Sequence, residues 1–182
     1  CAVVVVKLRV SDSRSRARWM QLSVLDRPTG LLNKASCEEL CRRFLCMEPD
    51  TRSAMLIVDM DHFKEINDSE GHLFGDKVLY GIGAILQNDL DEDTITGRIG
   101  GDEFLILVKH ARERAAENLA GRLLSRLRQA HVSEAGAAVT CSIGIAYAEA
   151  GGKDYAALFE QADKALYQAK RGGGNRWAVY GR

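Results

Sequence analysis

The sequence predicts an α+β domain: a mixed central sheet flanked by helices. Three features predict it. Apolar runs of strand length alternate with segments of helical spacing. Two of the strands are separated only by a glycine-bearing turn. The remaining strands are linked by helix-length crossovers. From residue 35 the element order reads α-β-α-α-β-β-α-β-α-β.

"AVVVVKLRV" (2–10) reads as a strand that alternates only at its end. "SDSRSRARWMQLSVL" (11–25) is polar, then amphipathic, with Trp19, Leu22 and Leu25 within reach on one face; it reads as a linker helix. "DRPTGLLNK" (26–34) carries Pro28 and Gly30 and is a turn. A helix is expected over about 35–47, with Leu40, Phe44 and Met47 on one side. "AMLIVDM" (54–60) suits a strand buried on both faces. A short helix over about 62–68 follows, and then Phe74, Val78, Ile82, Ile85 and Leu86 at helical spacing. "TITGRI" (94–99) and "EFLILV" (103–108) form a hairpin through the Gly100–Gly101 turn. Residues 112–130 read as a helix with Leu119, Leu123 and Leu127 inward. A strand at 138–148, an amphipathic helix at 154–170 and a last strand near 176–180 complete the chain. Tyr155, Leu158, Phe159, Ala162 and Leu166 form the apolar side of that last helix.

The 182 residues allow one full domain, 26–182, plus an extra segment, 1–25. Lys and Arg number 25, as do Asp and Glu, so bulk charge favours neither nucleic acid nor an anionic membrane. No run of about 18 apolar residues occurs, so no membrane segment is expected in this stretch, and no signal-peptide pattern is present. A chain that starts at Cys1 without Met reads as a piece of a longer protein. The cysteines, at 1, 37, 41, 46 and 141, are odd in number and contain no Cys-x-x-Cys. Zinc would need a fourth ligand at fitting spacing. They read as reduced, mostly packed thiols of a cytoplasmic protein, with Cys37 and Cys41 on one helix face.

Three acids stand at strand ends: Asp59 after "LIV", and Asp102 with Glu103 at the hairpin. If the first strand neighbours the hairpin, the three meet at one sheet edge. Such a cluster repels itself unless a cation neutralises it. Hard oxygen ligands with room for phosphates suit Mg²⁺, and two ions would clamp both oxygens of a phosphoryl or nucleotidyl transfer. Gly100 and Gly101 would let the backbone approach a ligand and adopt positive φ. The plainer alternative is a tight hairpin whose acids face water. The segment "DMDHFKEINDSEGHLFGDKVL" (59–79) adds to the first reading. A helix starting near His62 offers free N–H groups to phosphates, and Lys64 adds a point charge. Asn67 and Asp76 have the right chemistry to read a purine edge. The alternative is a solvated polar loop, with Asp76 capping a helix.

"GGDEF" at 100–104, the 59–76 segment, "DKALYQAKRGGGN" at 163–175 and the opening "DRPTGLLNK" together resemble the GGDEF diguanylate cyclase family over about 26–180. The resemblance implies a palm-like fold with a ferredoxin-like βαββαβ core, of the nucleotide cyclase and polymerase type. It implies condensation of two GTP into cyclic di-GMP with release of two pyrophosphates. Two Mg²⁺ per site, or Mn²⁺ in their place, would be held by Asp59, Asp102 and the Met60 carbonyl. Glu103 would activate the 3′-hydroxyl or support the metals. Lys64 would stabilise the transferring phosphate, and the N–H groups of His62 and Phe63 would bind phosphates. Asn67 and Asp76 would read guanine, with His72 beside ribose and base. Gly101 would pass close to the nucleotide, and Lys170 would reach the terminal phosphates; a cation ending a helix is the plainer account of Lys170. Two such domains would meet as a homodimer, spaced by the linker helix, and residues 2–10 would be the end of a PAS-type sensor.

Two departures stand out. Gly174 replaces a phosphate-binding Arg of the family pattern, with Arg171 and Arg176 as substitutes. The Arg-x-x-Asp product-inhibition site is "DEDT" at 91–94, so no inhibition through it is expected. A silent GTP-binding module is the alternative function, and a cyclase with another product the third; Asp76 disfavours adenine-using variants.

Overall fold

The structure is a computed structural model that describes residues 24–129, 139–151 and 154–182. The strand expected at 2–10, and all of the linker helix but Val24 and Leu25, lie outside the described residues. Its elements are α1 (Lys34–Met47), β1 (Ser53–Met60), α2 (Phe63–Glu70), α3 (His72–Asp89), β2 (Thr94–Arg98), β3 (Glu103–Val108), α4 (Ala115–Gln129), β4 (Cys141–Ala148), α5 (Tyr155–Arg171) and β5 (Trp177–Val179). This is the order the sequence predicts, with ends shifted by a few residues where caps and turns intervene.

The five strands form one mixed sheet in the order β2-β3-β1-β4-β5. β1 is central and antiparallel to both β3 and β4, while β4 and β5 run parallel across the α5 crossover. All eight residues of β1 are buried, which is why its apolar residues form an unbroken run rather than alternating. Leu56, Val58, Phe104 and Ile106 face α3 and α4, meeting Val78, Ile82, Leu86, Leu119, Leu123 and Leu127. Met55, Ile57, Leu105 and Leu107 face α1 and α5, meeting Cys37, Cys41, Leu158, Ala162 and Leu166. Each large side chain so buried contributes about 1.5–3 kcal/mol.

The inner face of α1 corrects the expectation. Leu40 and Met47 are exposed, and Cys37, Cys41 and Leu45 are buried. The thiols act as small hydrophobes against the sheet, leaving the bulkier side chains outside. Cys141 is buried as well, while Cys46 is exposed. Asn33 starts α1 by accepting the Ser36 N–H at 3.0 Å, and Asp154 starts α5 by accepting the Ala156 N–H at 3.1 Å.

Candidate active site

Strand register brings the three acids together. Asp59 lies directly opposite Glu103, and the Met60 N–H donates to the Asp102 carbonyl at 3.3 Å. Asp59 and Glu103 share the sheet face that carries α5. From α5, Lys170 places its Nζ 2.7 Å from Asp59 Oδ1.

The electrostatics are those of crowded acids. Burial pushes the Asp59 carboxyl above its ordinary value; Lys170 pulls it down, and Asp102 and Asp61 push it up again. Burial also raises Glu103, reinforced by the charges of Asp59 and Asp102. Among the described residues no three His, Cys, Asp or Glu side chains form a complete metal cage. Asp59 and Asp102 still bring hard carboxylate oxygens to one sheet edge, a chemistry that suits a divalent cation taking its remaining ligands from phosphates and water.

The Gly100–Gly101 turn works through space rather than backbone twist. Neither glycine has positive φ, contrary to the expectation. A Cβ on Gly100 would collide with the Glu103 carboxylate, whereas nothing lies within 4 Å of one on Gly101. Gly100 thus makes room for the acid, and Gly101 leaves a bare surface for a ligand. The turn is pinned by a residue that the motif reading overlooked. Arg98 donates from Nε to the Gly100 carbonyl at 3.1 Å and from Nη2 to the Gly101 carbonyl at 2.6 Å. Its Nη1 pairs with Asp26 at 3.3 Å. The only local signal was a cation two positions before the glycines.

A cavity of about 390 Å³ opens beside the acids, lined by Met60, Asp61, His62, Lys170, Gly173 and Gly174. The start of α2 adjoins it. His62 is left-handed, at φ 58°, and no side chain caps the helix. The first helical acceptor is the His62 carbonyl, which takes the Ile66 N–H at 3.1 Å. The N–H groups of Phe63, Lys64 and Glu65 therefore have no acceptor within the helix. The His62 ring bonds the exposed Glu65 at 2.9 Å, which raises its pKa.

Asp61 has a different task. Its carboxylate accepts Thr140 Oγ1 at 2.8 Å, Ser142 Oγ at 2.7 Å and the Asn175 N–H at 2.9 Å. It ties β4 and the turn after α5 to the end of β1, a role that sequence spacing could not distinguish from that of Asp59.

Asn67, His72 and Asp76 do not line the cavity. They lie along α2 and α3, with His72 and Asp76 exposed. Gly75 lets Asn67 lie close, since a Cβ there would collide with the Asn67 amide. Asp76 caps nothing: α3 begins after Gly71, without a side-chain cap. Lys64 is exposed on the first turn of α2.

The family model described as diguanylate cyclase, GGDEF domain, matches residues 23–176. This chain belongs to the GGDEF family. It is 34% identical over 170 residues to the cyclic di-GMP phosphodiesterase PdeR of Escherichia coli, covering 93% of this chain and 26% of that protein. It is 39% identical over 168 residues to the diguanylate cyclase DgcP of Pseudomonas aeruginosa, covering 87% and 24%. The chain thus spans about a quarter of these two relatives. The fold matches the GGDEF domain of DgcB from Caulobacter crescentus, solved with c-di-GMP, at TM-score 0.83 and 24% identity over 88% of this chain and 98% of that one. The five-stranded mixed sheet is therefore the palm-like GGDEF fold. Among the described residues no helix is long and apolar enough to cross a membrane.

Proposed function

We propose that residues 26–182 form a diguanylate cyclase domain that condenses two GTP into cyclic di-GMP and two pyrophosphates. The observation that carries this reading is the convergence of Asp59, Asp102 and Glu103 beside an uncapped helix start and Lys170. Asp59, Asp102 and the Met60 carbonyl would hold two Mg²⁺, which would polarise the α-phosphate and neutralise the triphosphate. Lys170, paired with Asp59 here, would turn to the terminal phosphates. The N–H groups of His62 and Phe63 bind phosphate oxygens, and Lys64 steadies charge on the transferring group. Glu103 accepts the proton of the attacking 3′-hydroxyl; its raised pKa makes it the stronger base. The new 3′-O–P bond forms as the α–β phosphoanhydride bond breaks and pyrophosphate leaves. Asn67 and Asp76 read guanine, with His72 beside the ribose and Gly101 against the nucleotide.

Each domain holds one GTP, so turnover needs a homodimer, with residues 1–25 as the upstream linker; the setting is cytoplasmic. The test is mass-spectrometric product analysis after incubation with GTP and Mg²⁺ over a range of protein concentrations, beside Asp102→Ala. Cyclic di-GMP that rises steeply with protein concentration and vanishes in the variant is expected. The bare backbone at Gly174 and the likeness to PdeR favour a second reading, a silent GTP-binding module. GTP binding without product at any concentration would establish that reading instead.

A further inference from the structure

We propose that Arg176 binds the terminal phosphates of the nucleotide, supplying the cation that the cavity wall at 172–174 lacks. The inference rests on the guanine-nucleotide reading above. Three consecutive glycines, 172–174, form the turn after α5, and Gly173 and Gly174 line the cavity. That wall carries no side chain, so nothing screens a group lying behind it. Arg176 lies there. Its Nη1 is 3.0 Å from where a Cβ of Gly172 would stand, and its Nη2 is 3.9 Å from that of Gly173.

The neighbourhood fixes the base of Arg176 and leaves its tip unspent. Its carbonyl accepts the Ile143 N–H at 2.9 Å, at the start of the β4–β5 ladder. The exposed guanidinium makes one long hydrogen bond, from Nε to the Gly174 carbonyl at 3.3 Å. Among the described residues no carboxylate pairs with it. The other cations nearby are differently placed. Lys170 is engaged with Asp59, and the Arg171 guanidinium lies over the Tyr167 ring at 5.8 Å. Position 174 itself suits glycine. Its φ is +69°, and a Cβ there would stand 3.1 Å from the Asp61 carboxylate. An arginine two residues on, held by its carbonyl just before β5 and free at its tip, can swing over the bare turn. Its planar fork then matches two phosphate oxygens.

The test compares a triphosphate with a monophosphate. Calorimetric titration of the whole chain with guanosine 5′-(α,β-methylene)triphosphate, which resists cleavage, and with GMP would be run in Mg²⁺ for wild type, Arg176→Ala and Arg176→Lys. Arg176→Ala is expected to weaken the triphosphate about tenfold or more and GMP by less than about twofold, with Arg176→Lys recovering part of the loss. Equal losses for both ligands, or none for the triphosphate, would overturn the assignment. Melting curves report folding, and Arg176→Gln carries the same comparison if the alanine variant unfolds. Wild type that binds neither ligand would overturn the guanine-nucleotide reading itself, an outcome visible before any variant is compared.

Discussion

Two cavities of equal size, about 390 Å³ each, open at opposite ends of the sheet. The one at the start of β2 carries more ionisable groups, among them Asp89, Asp91, Asp93, Lys109, Arg112 and Arg122. Its charges are mixed and largely spent locally. Asp89 accepts Arg126 at 2.7 Å, Asp91 accepts the Asp93 N–H at 3.0 Å, and Lys109 donates to the Glu92 carbonyl at 2.8 Å. At the other end, by contrast, like charges crowd: Asp59 and Glu103 are both pushed up, with the Lys170 ammonium paired to Asp59. Volume does not distinguish the two ends. Crowding of like charge, beside backbone donors without helical acceptors, does.

The comparison breaks most sharply on Asp102. Asp102→Ala is expected to lower pyrophosphate release from GTP by about 10³-fold, whereas Arg122→Ala in the far cavity leaves it within about twofold. Equal losses would mean that the two ends are not functionally distinct. Gly100→Ala tests whether the turn acts by leaving space. Its Cβ displaces the Glu103 carboxylate, and a loss of about 10²-fold with an unchanged melting temperature is expected. A sharper contrast lies within one end, between Asp59 and Asp61. Asp61→Ala leaves three donors unpaired, so denaturant unfolding should show a loss of about 1–3 kcal/mol.

Glu103→Gln should move stability the other way. The folded pKa of Glu103 is raised, so the wild-type carboxyl favours folding at low pH and loses that contribution as pH rises through the folded pKa. The variant should therefore melt higher than wild type near neutrality, with the gain shrinking as pH falls into the carboxylate range. A constant difference across pH would show that the acid is not strained by its neighbours. The smallest effect is expected from added cyclic di-GMP, which should not slow turnover through residues 91–94. Asp91, Glu92 and Asp93 there meet an anionic ligand with the wrong charge, and Thr94 offers none.

Most of the fold was legible because its signals are local. Unbroken apolar runs of strand length set β1 and β3, period-3.6 patterns set α3, α4 and α5, and the acids stood out as charges bounding apolar runs. The packing of Cys37 and Cys41 was legible, but Leu40 and Met47 were set on the wrong side of α1 because apolar size was weighed over the face that the thiols already marked. Asp59 and Asp61 are the same residue type two positions apart, and only register separates them. Register sets Asp59 against Glu103, while Thr140, Ser142 and Asn175 close around Asp61. The clasp of Arg98 on Asp26 spans 72 residues, beyond the reach of any periodicity. By itself the sequence determined which elements form and which acids end them, because hydrophobic period and turn chemistry act over a few residues. Only the tertiary structure decided which carboxylate is saturated and which remains available, because hydrogen-bond partners across the sheet are chosen by packing.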